Sequence, residues 1–148
     1  MKIYLPFLLL LIGHSVASHA TEDSLWVAEI RKLALAGDAD ALYSLGFMYD
    51  IGDGVPESDK TAVMWYTKAA ELGEGRAQYN LGLKYANGEG VPENDIKAYV
   101  WYALAKANGF FWAKNNLELL KQEMTKPQIA KAQELAAKRH ASGLKACD

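Results

Sequence analysis

Gly75–Gly109 reads GRAQYNLGLKYANGEGVPENDIKAYVWYALAKANG, and Ala39–Gly73, 36 positions earlier, reads ADALYSLGFMYDIGDGVPESDKTAVMWYTKAAELG. Sixteen positions are identical across that shift, among them Leu45/Leu81, Gly46/Gly82, Tyr49/Tyr85, Pro56/Pro92, Asp59/Asp95, Trp65/Trp101 and Tyr66/Tyr102. A fixed period of this size marks a stacked repeat architecture rather than a single packed core. Within each copy, Ala77, Leu81 and Tyr85 fall at i, i+4 and i+8, one apolar stripe of an amphipathic helix. Gly46 and Gly82 interrupt that helix at a cost of roughly 1 kcal/mol against alanine, which predicts a close neighbour with a bulky ring above each.

The run Asn87-Gly88-Glu89-Gly90-Val91-Pro92 then stops the first helix, because its glycines tolerate positive φ and its proline cannot continue the helix. Asp95, like Asp59 in the first copy, is expected to be the N-cap of a second helix. That helix carries Ala98, Trp101, Tyr102 and Ala105 at spacings of three and four and ends at Gly109. A unit is therefore helix, glycine-rich loop, helix, glycine turn. Neither hairpin buries its stripe alone, so the units must stack. The combination A-x-x-x-L-G-x-x-Y, G-x-G-V-P, D-x-x-x-A-x-x-W-Y-x-x-A and a closing glycine resembles the Sel-1-like repeat (SLR), a relative of the tetratricopeptide repeats. The resemblance covers two units, about half the chain. It implies an all-α fold, a short right-handed α-solenoid of antiparallel helix hairpins that holds other proteins.

Outside the repeats, residues 1–20 read as a secretory signal: Lys2 gives the positive start, Leu5–Ile12 the apolar run, and Ser18-His19-Ala20 a small-residue cleavage site. The apolar run is far short of the roughly 20 residues a spanning helix needs. The expected location is periplasmic or secreted, with cleavage near Ala20 and, lacking a cysteine there, no lipid attachment. Residues 21–148 form one domain: a cap helix over 24–36, repeats over 39–73 and 75–109, and a degenerate repeat serving as cap over 111–142. In that last unit Ala113 and Leu117 echo Ala77 and Leu81, but Glu118 takes the glycine position and Thr125-Lys126-Pro127-Gln128 is a capping-box pattern. Ile129, Ala132, Leu135 and Ala136 then give a final amphipathic helix, with Lys138, Arg139 and His140 suited to its C-terminal dipole.

Charge is uneven: Thr21–Asp95 holds 14 acids and 6 bases, a net of −8, whereas Ile96–Asp148 holds 4 acids and 9 bases, a net of +5. Such a field steers a partner of opposite asymmetry, or is solvated helix surface. Beyond the signal there is one histidine, His140, and one cysteine, Cys147, so no internal disulfide forms; pairing with another chain stays open. No hydrolase, zincin or phosphate-loop motif is present, and no basic, aromatic-rich nucleic-acid motif. Asp50, Asp53, Glu57 and Asp59 make the first loop acidic without a Ca²⁺-loop spacing. No catalytic residue, metal or cofactor is expected. Cysteine-rich relatives have been associated with β-lactam binding, but their paired cysteines are absent.

The residues to watch are those that, by the solenoid resemblance, face the concave groove: Asp40, Tyr43, Phe47, Asp50 and Ile51 from the first unit; Arg76, Tyr79, Leu83, Ala86 and Asn87 from the second; Trp112, Asn115, Leu119 and Gln122 from the last. Phe47, Leu83 and Leu119 form an apolar row, and Phe47 and Trp112 are the expected anchors, since buried aromatics dominate interface energy. The resulting expectation is a non-enzymatic adaptor of the cell envelope that binds a protein or peptide segment. The alternatives are an immunity-type inhibitor of a toxin, distinguished by very tight binding of one partner, and an envelope hydrolase built on Asp50, Asp53 and Glu57.

Overall fold

The computed structural model describes residues 17–143, with side chains from Leu25 onward. The apolar run of the expected signal and Cys147 lie outside the described residues. Seven helices and no strand occur among the described residues: α1 (Ala17–Leu35), α2 (Ala39–Ile51), α3 (Asp59–Glu71), α4 (Gly75–Asn87), α5 (Asp95–Ala107), α6 (Trp112–Glu123) and α7 (Lys126–Ala141). The all-α solenoid of hairpins expected from the period is what forms. α1 begins ahead of the expected 24; no glycine or proline lies between Gly13 and Gly37 to stop it sooner. None of the described helices is long and apolar enough to cross a membrane.

α2 pairs with α3 and α4 with α5, while α3 also packs on α4, so each hairpin completes its interior against the next. The period is visible in atomic detail. Gly52 and Gly88 end α2 and α4 in the left-handed conformation, at φ 72° and 70°. The backbone N–H of Ser58 donates to the Tyr49 carbonyl and that of Asn94 to the Tyr85 carbonyl, both at 2.8 Å. Gly46 lies under the Tyr66 ring, where a Cβ would sit 2.7 Å from the nearest ring carbon, and Gly82 lies still closer under Tyr102. The expected ring above each helical glycine is thus the tyrosine of the same unit. Trp65 and Trp101 are buried at 8% and 4% exposure.

The caps correct one expectation. Asp59 and Asp95 are the first residues of α3 and α5, and the N-caps are Ser58 and Asn94, whose side chains accept from the N–H groups of Thr61 and Lys97. The two caps differ in identity while doing the same chemistry, and the repeat comparison therefore favoured the identical aspartates beside them. The C-terminal capping box forms as expected, with Thr125 accepting from the Gln128 N–H and Gln128 accepting from the Thr125 N–H.

The third unit departs from the hairpin plan. Two residues, Met124 and Thr125, separate α6 from α7, where the full units use a seven-residue loop (52–58 and 88–94). Without the glycine loop, α7 packs on α5. There it buries Ala132 completely and lays the Arg139 guanidinium over the Trp101 ring at 4.2 Å. The degenerate unit closes the stack by folding its last helix back on the previous repeat.

Candidate functional site

The 36-residue period sets the expected groove residues in rows across α2, α4 and α6: Asp40–Arg76–Trp112, Tyr43–Tyr79–Asn115, Phe47–Leu83–Leu119 and Asp50–Ala86–Gln122, with Ile51 and Asn87 ending α2 and α4. The first row is joined by an ion pair between Arg76 and Asp40, one period apart. Arg76 also binds Glu74 at 2.8 Å and stacks its guanidinium 4.3 Å over the Tyr43 ring. Its pKa is raised, first by the hydrogen bond to Glu74 and further by Asp40. Trp112, the third member of the row, is 70% exposed.

The second row is mostly internal. Tyr43 is half-buried against Tyr66 and stacks on Phe47, with centroids 5.8 and 6.3 Å apart. Tyr79 packs between Tyr102 and Phe110 at 5.8 and 5.0 Å. Burial raises the pKa of Tyr43 above the usual phenol value, and Tyr66 is pushed up by burial and then by the Asp50 charge, so both rings stay neutral. Asn115 is exposed. In the third row Phe47 and Leu119 are 43% and 62% exposed. Leu83, between them, tucks against the core of the second and third units. The apolar row is therefore two exposed ends joined by a half-buried middle.

Asp50 does not project as a free carboxylate. It accepts from the Tyr66 hydroxyl at 3.0 Å and pairs with Lys84. Lys84 is the residue the sequence reading passed over. It is 6% exposed, and its ammonium also meets Asp59 at 2.6 Å and Glu89 at 3.0 Å. Burial opposes its charge, but hydrogen bonds to Asp50, Asp59 and Glu89 outweigh that and raise its pKa above the usual lysine value. One signal could have found it: Lys84 occupies the position of Met48 in the first unit and Leu120 in the third. A cation at a core position needs charged partners.

Further hydrogen bonds tie the units together. Buried Gln78 donates to the Ala70 carbonyl at 3.0 Å and accepts from Asn108 at 2.8 Å, clamping the end of one hairpin to the turn closing the next. Asn116 donates to the Tyr102 hydroxyl at 3.4 Å, and Asn80, one period earlier, lies beside the Tyr66 hydroxyl. Charged groups on this face are thus largely satisfied within the stack. Besides the paired Asp40 and Arg76, what it presents outward is neutral: Phe47, Asn87, Asn115, Leu119 and Trp112, with Phe111 beside them at 87% exposure. Asp53 and Glu57 are exposed in the first loop, while Asp50 and Asp59 turn to Lys84. Among the described residues no group of three or more His, Cys, Asp or Glu side chains gathers to hold a metal ion.

Comparison with known proteins fits this architecture. The Sel1 repeat family matches residues 39–74 and 75–110. The structure is similar to a protective antigen of uropathogenic Escherichia coli strains that displays an SLR fold (TM-score 0.73, 25% identity, 91% of this chain and 34% of that one). It is also similar to a Sel1 repeat protein from Oxalobacter formigenes (TM-score 0.55, 40% identity, 56% of this chain and 63% of that one). The chain therefore spans about a third of the length of the first and less than two thirds of the second. A search of curated proteins gives no match. Sel1 repeats generally mediate protein–protein interaction and form a scaffold that is generally non-enzymatic. The chain carries two Sel1 repeats, residues 39–74 and 75–110, stacked in an SLR-type α-solenoid.

Proposed function

We propose that the chain is a binding module of the cell envelope that holds a segment of another protein across the face formed by α2, α4 and α6. The observation that carries this reading is the contrast on that face. Asp40, Arg76 and Asp50 are paired within the stack, whereas Phe47, Leu119 and Trp112 stand exposed at 43%, 62% and 70%. Large aromatic groups left out of an otherwise well-packed helical stack are the anchors through which interfaces gain most of their energy. The exposed groups left unpaired there are neutral, so the segment it suits supplies apolar side chains together with backbone or amide hydrogen bonds to Asn87 and Asn115. The envelope location rests on the signal-like residues 1–20 and is checked separately, by fractionation of the producing cell.

The test of the binding face is affinity capture from an envelope extract with the purified chain, followed by titration of the captured protein against variants. Phe47→Ala and Trp112→Ala are each expected to weaken binding at least about tenfold, the lower range for an interface hot spot, with helicity unchanged. A captured protein that binds both variants as tightly as the parent places the contact elsewhere.

A further inference from the structure

The third unit changes the period at four positions around one turn. Ala70 and Gln78 are buried and joined by a hydrogen bond, and one period earlier Ala34 and Leu42 are buried too. One period on, the same two positions are Lys106 and Lys114, both exposed. Glu74, whose carboxylate caps α4 by accepting from the Ala77 N–H as Asp38 caps α2, becomes Phe110. Gly75 becomes Phe111, 87% exposed, and α6 starts beside it with no side-chain cap. An N-cap is worth about 1 kcal/mol. Phe110 offsets part of that loss by packing on Tyr79 at 5.0 Å. Phe111, almost wholly exposed, offsets none of it.

Charge changes in the same direction. Ile96–Leu117 contains Lys97, Lys106 and Lys114 and no acid. The first acid after it, Glu118, is bonded to Lys121 at 3.0 Å, and its carboxyl is held below the usual range first by Lys121 and then by Lys106 and Lys114. Lys106 and Lys114 make no ion pair among the described residues. The turn between α5 and α6 is thus a projecting aromatic ring with two unpaired ammonium groups beside it. A protein partner would have to bring its own pocket for a ring that projects so far. A bilayer interface takes such a ring without one, while lysines beside it meet anionic headgroups. The missing acid cap removes a carboxylate that this surface would repel. We propose that the α5–α6 turn docks the chain on an anionic lipid bilayer, with Phe111 at headgroup depth and Lys106 and Lys114 against the lipid phosphates. This goes beyond the binding face on α2, α4 and α6 and does not rest on it; Trp112 borders both surfaces and is left unchanged in the test.

The experiment puts a polarity-sensitive dye on Ala107→Cys, exposed at the end of α5, in a Cys147→Ser background of the full chain, so that the turn is read whatever residues 1–20 do. Vesicles of phosphatidylglycerol and phosphatidylcholine are expected to shift its emission to the blue, and vesicles of phosphatidylcholine alone are not. Lys106→Gln/Lys114→Gln and Phe111→Ser are each expected to raise the lipid concentration at half-effect at least about tenfold, with helicity unchanged. The same dye on Met64→Cys, on the exposed side of α3, is expected to stay unshifted. A turn that stays wet on anionic vesicles, its surface left to an acidic protein, overturns the proposal. So does a shift that is equal on neutral vesicles, that survives the lysine substitutions, or that grows with protein concentration in the absence of lipid.

Discussion

At the scale of single residues, close contacts decide effects that intrinsic preferences get wrong. Glycine inside a helix normally costs roughly 1 kcal/mol against alanine. A Cβ on Gly82, however, would enter the Tyr102 ring, and that ring is itself buried. Overpacking a rigid core costs about 1–3 kcal/mol. Gly82→Ala is therefore expected to lower the stability despite the better helix former, by a net of up to about 2 kcal/mol, read as a lower urea midpoint.

Lys84 gives a second prediction, read through pH. Its pKa is raised in the folded chain above the ordinary 10.5, so the unfolded chain loses this proton first. The stabilisation is complete below that ordinary value and is lost as pH rises through the folded one. Tyr66, held neutral by burial and Asp50, acts with the same sign above its ordinary 10.0. Stability is expected to fall steeply above about pH 10, and Lys84→Met, which leaves the Tyr66 share, to flatten that fall. At neutral pH the same variant loses charged hydrogen bonds and is expected to be about 1.5–3 kcal/mol less stable. Denaturant titrations at several pH values measure both effects.

At the scale of elements, loops and caps set where helices go. Gly90 sits at φ 70° with the Asp59 carbonyl carbon 2.5 Å from where a Cβ would lie. The loop of the second unit thus rests directly on the start of α3. Gly90→Ala would meet backbone that cannot rotate away, besides a left-handed strain of about 1–2 kcal/mol. It is expected to be more disruptive than Thr125→Ala, which removes a capping box worth about 0.5–2 kcal/mol from α7. Thermal melts of the two variants give the order. The loop glycines were legible in the sequence because they recur. The caps Ser58 and Asn94 were not, because equivalent chemistry was carried by different residues. Nor was the docking of α7 on α5: it follows from a two-residue linker whose consequence depends on where the earlier hairpins lie.

At the scale of the whole molecule, the period was enough to give the fold, since Trp65, Trp101, Tyr66 and Tyr102 could be assigned to the interior by recurrence alone. The proposed binding face was legible only in part. The period put Asp40, Asp50 and Arg76 on α2 and α4, but the pairing of Asp40 with Arg76, and of Asp50 with the buried cation Lys84, needs three-dimensional neighbours to be seen. Arg76 and Lys84 each meet more than one carboxylate, so the acidic surplus before Asp95 is gathered around these two cations and not cancelled by them.

All of this rests on hairpins that share one interior and fold only in company. Helices of 13 residues are marginal on their own in water, and residues 39–74 alone would leave unmatched the faces of α2 and α3 that pack on α1 and α4. The most direct measurement is far-UV circular dichroism of the isolated 39–74 unit against the full chain. The expected result is little helix in the isolated unit and a single cooperative unfolding transition in the full chain; a 39–74 unit that is helical and melts cooperatively alone would contradict the account.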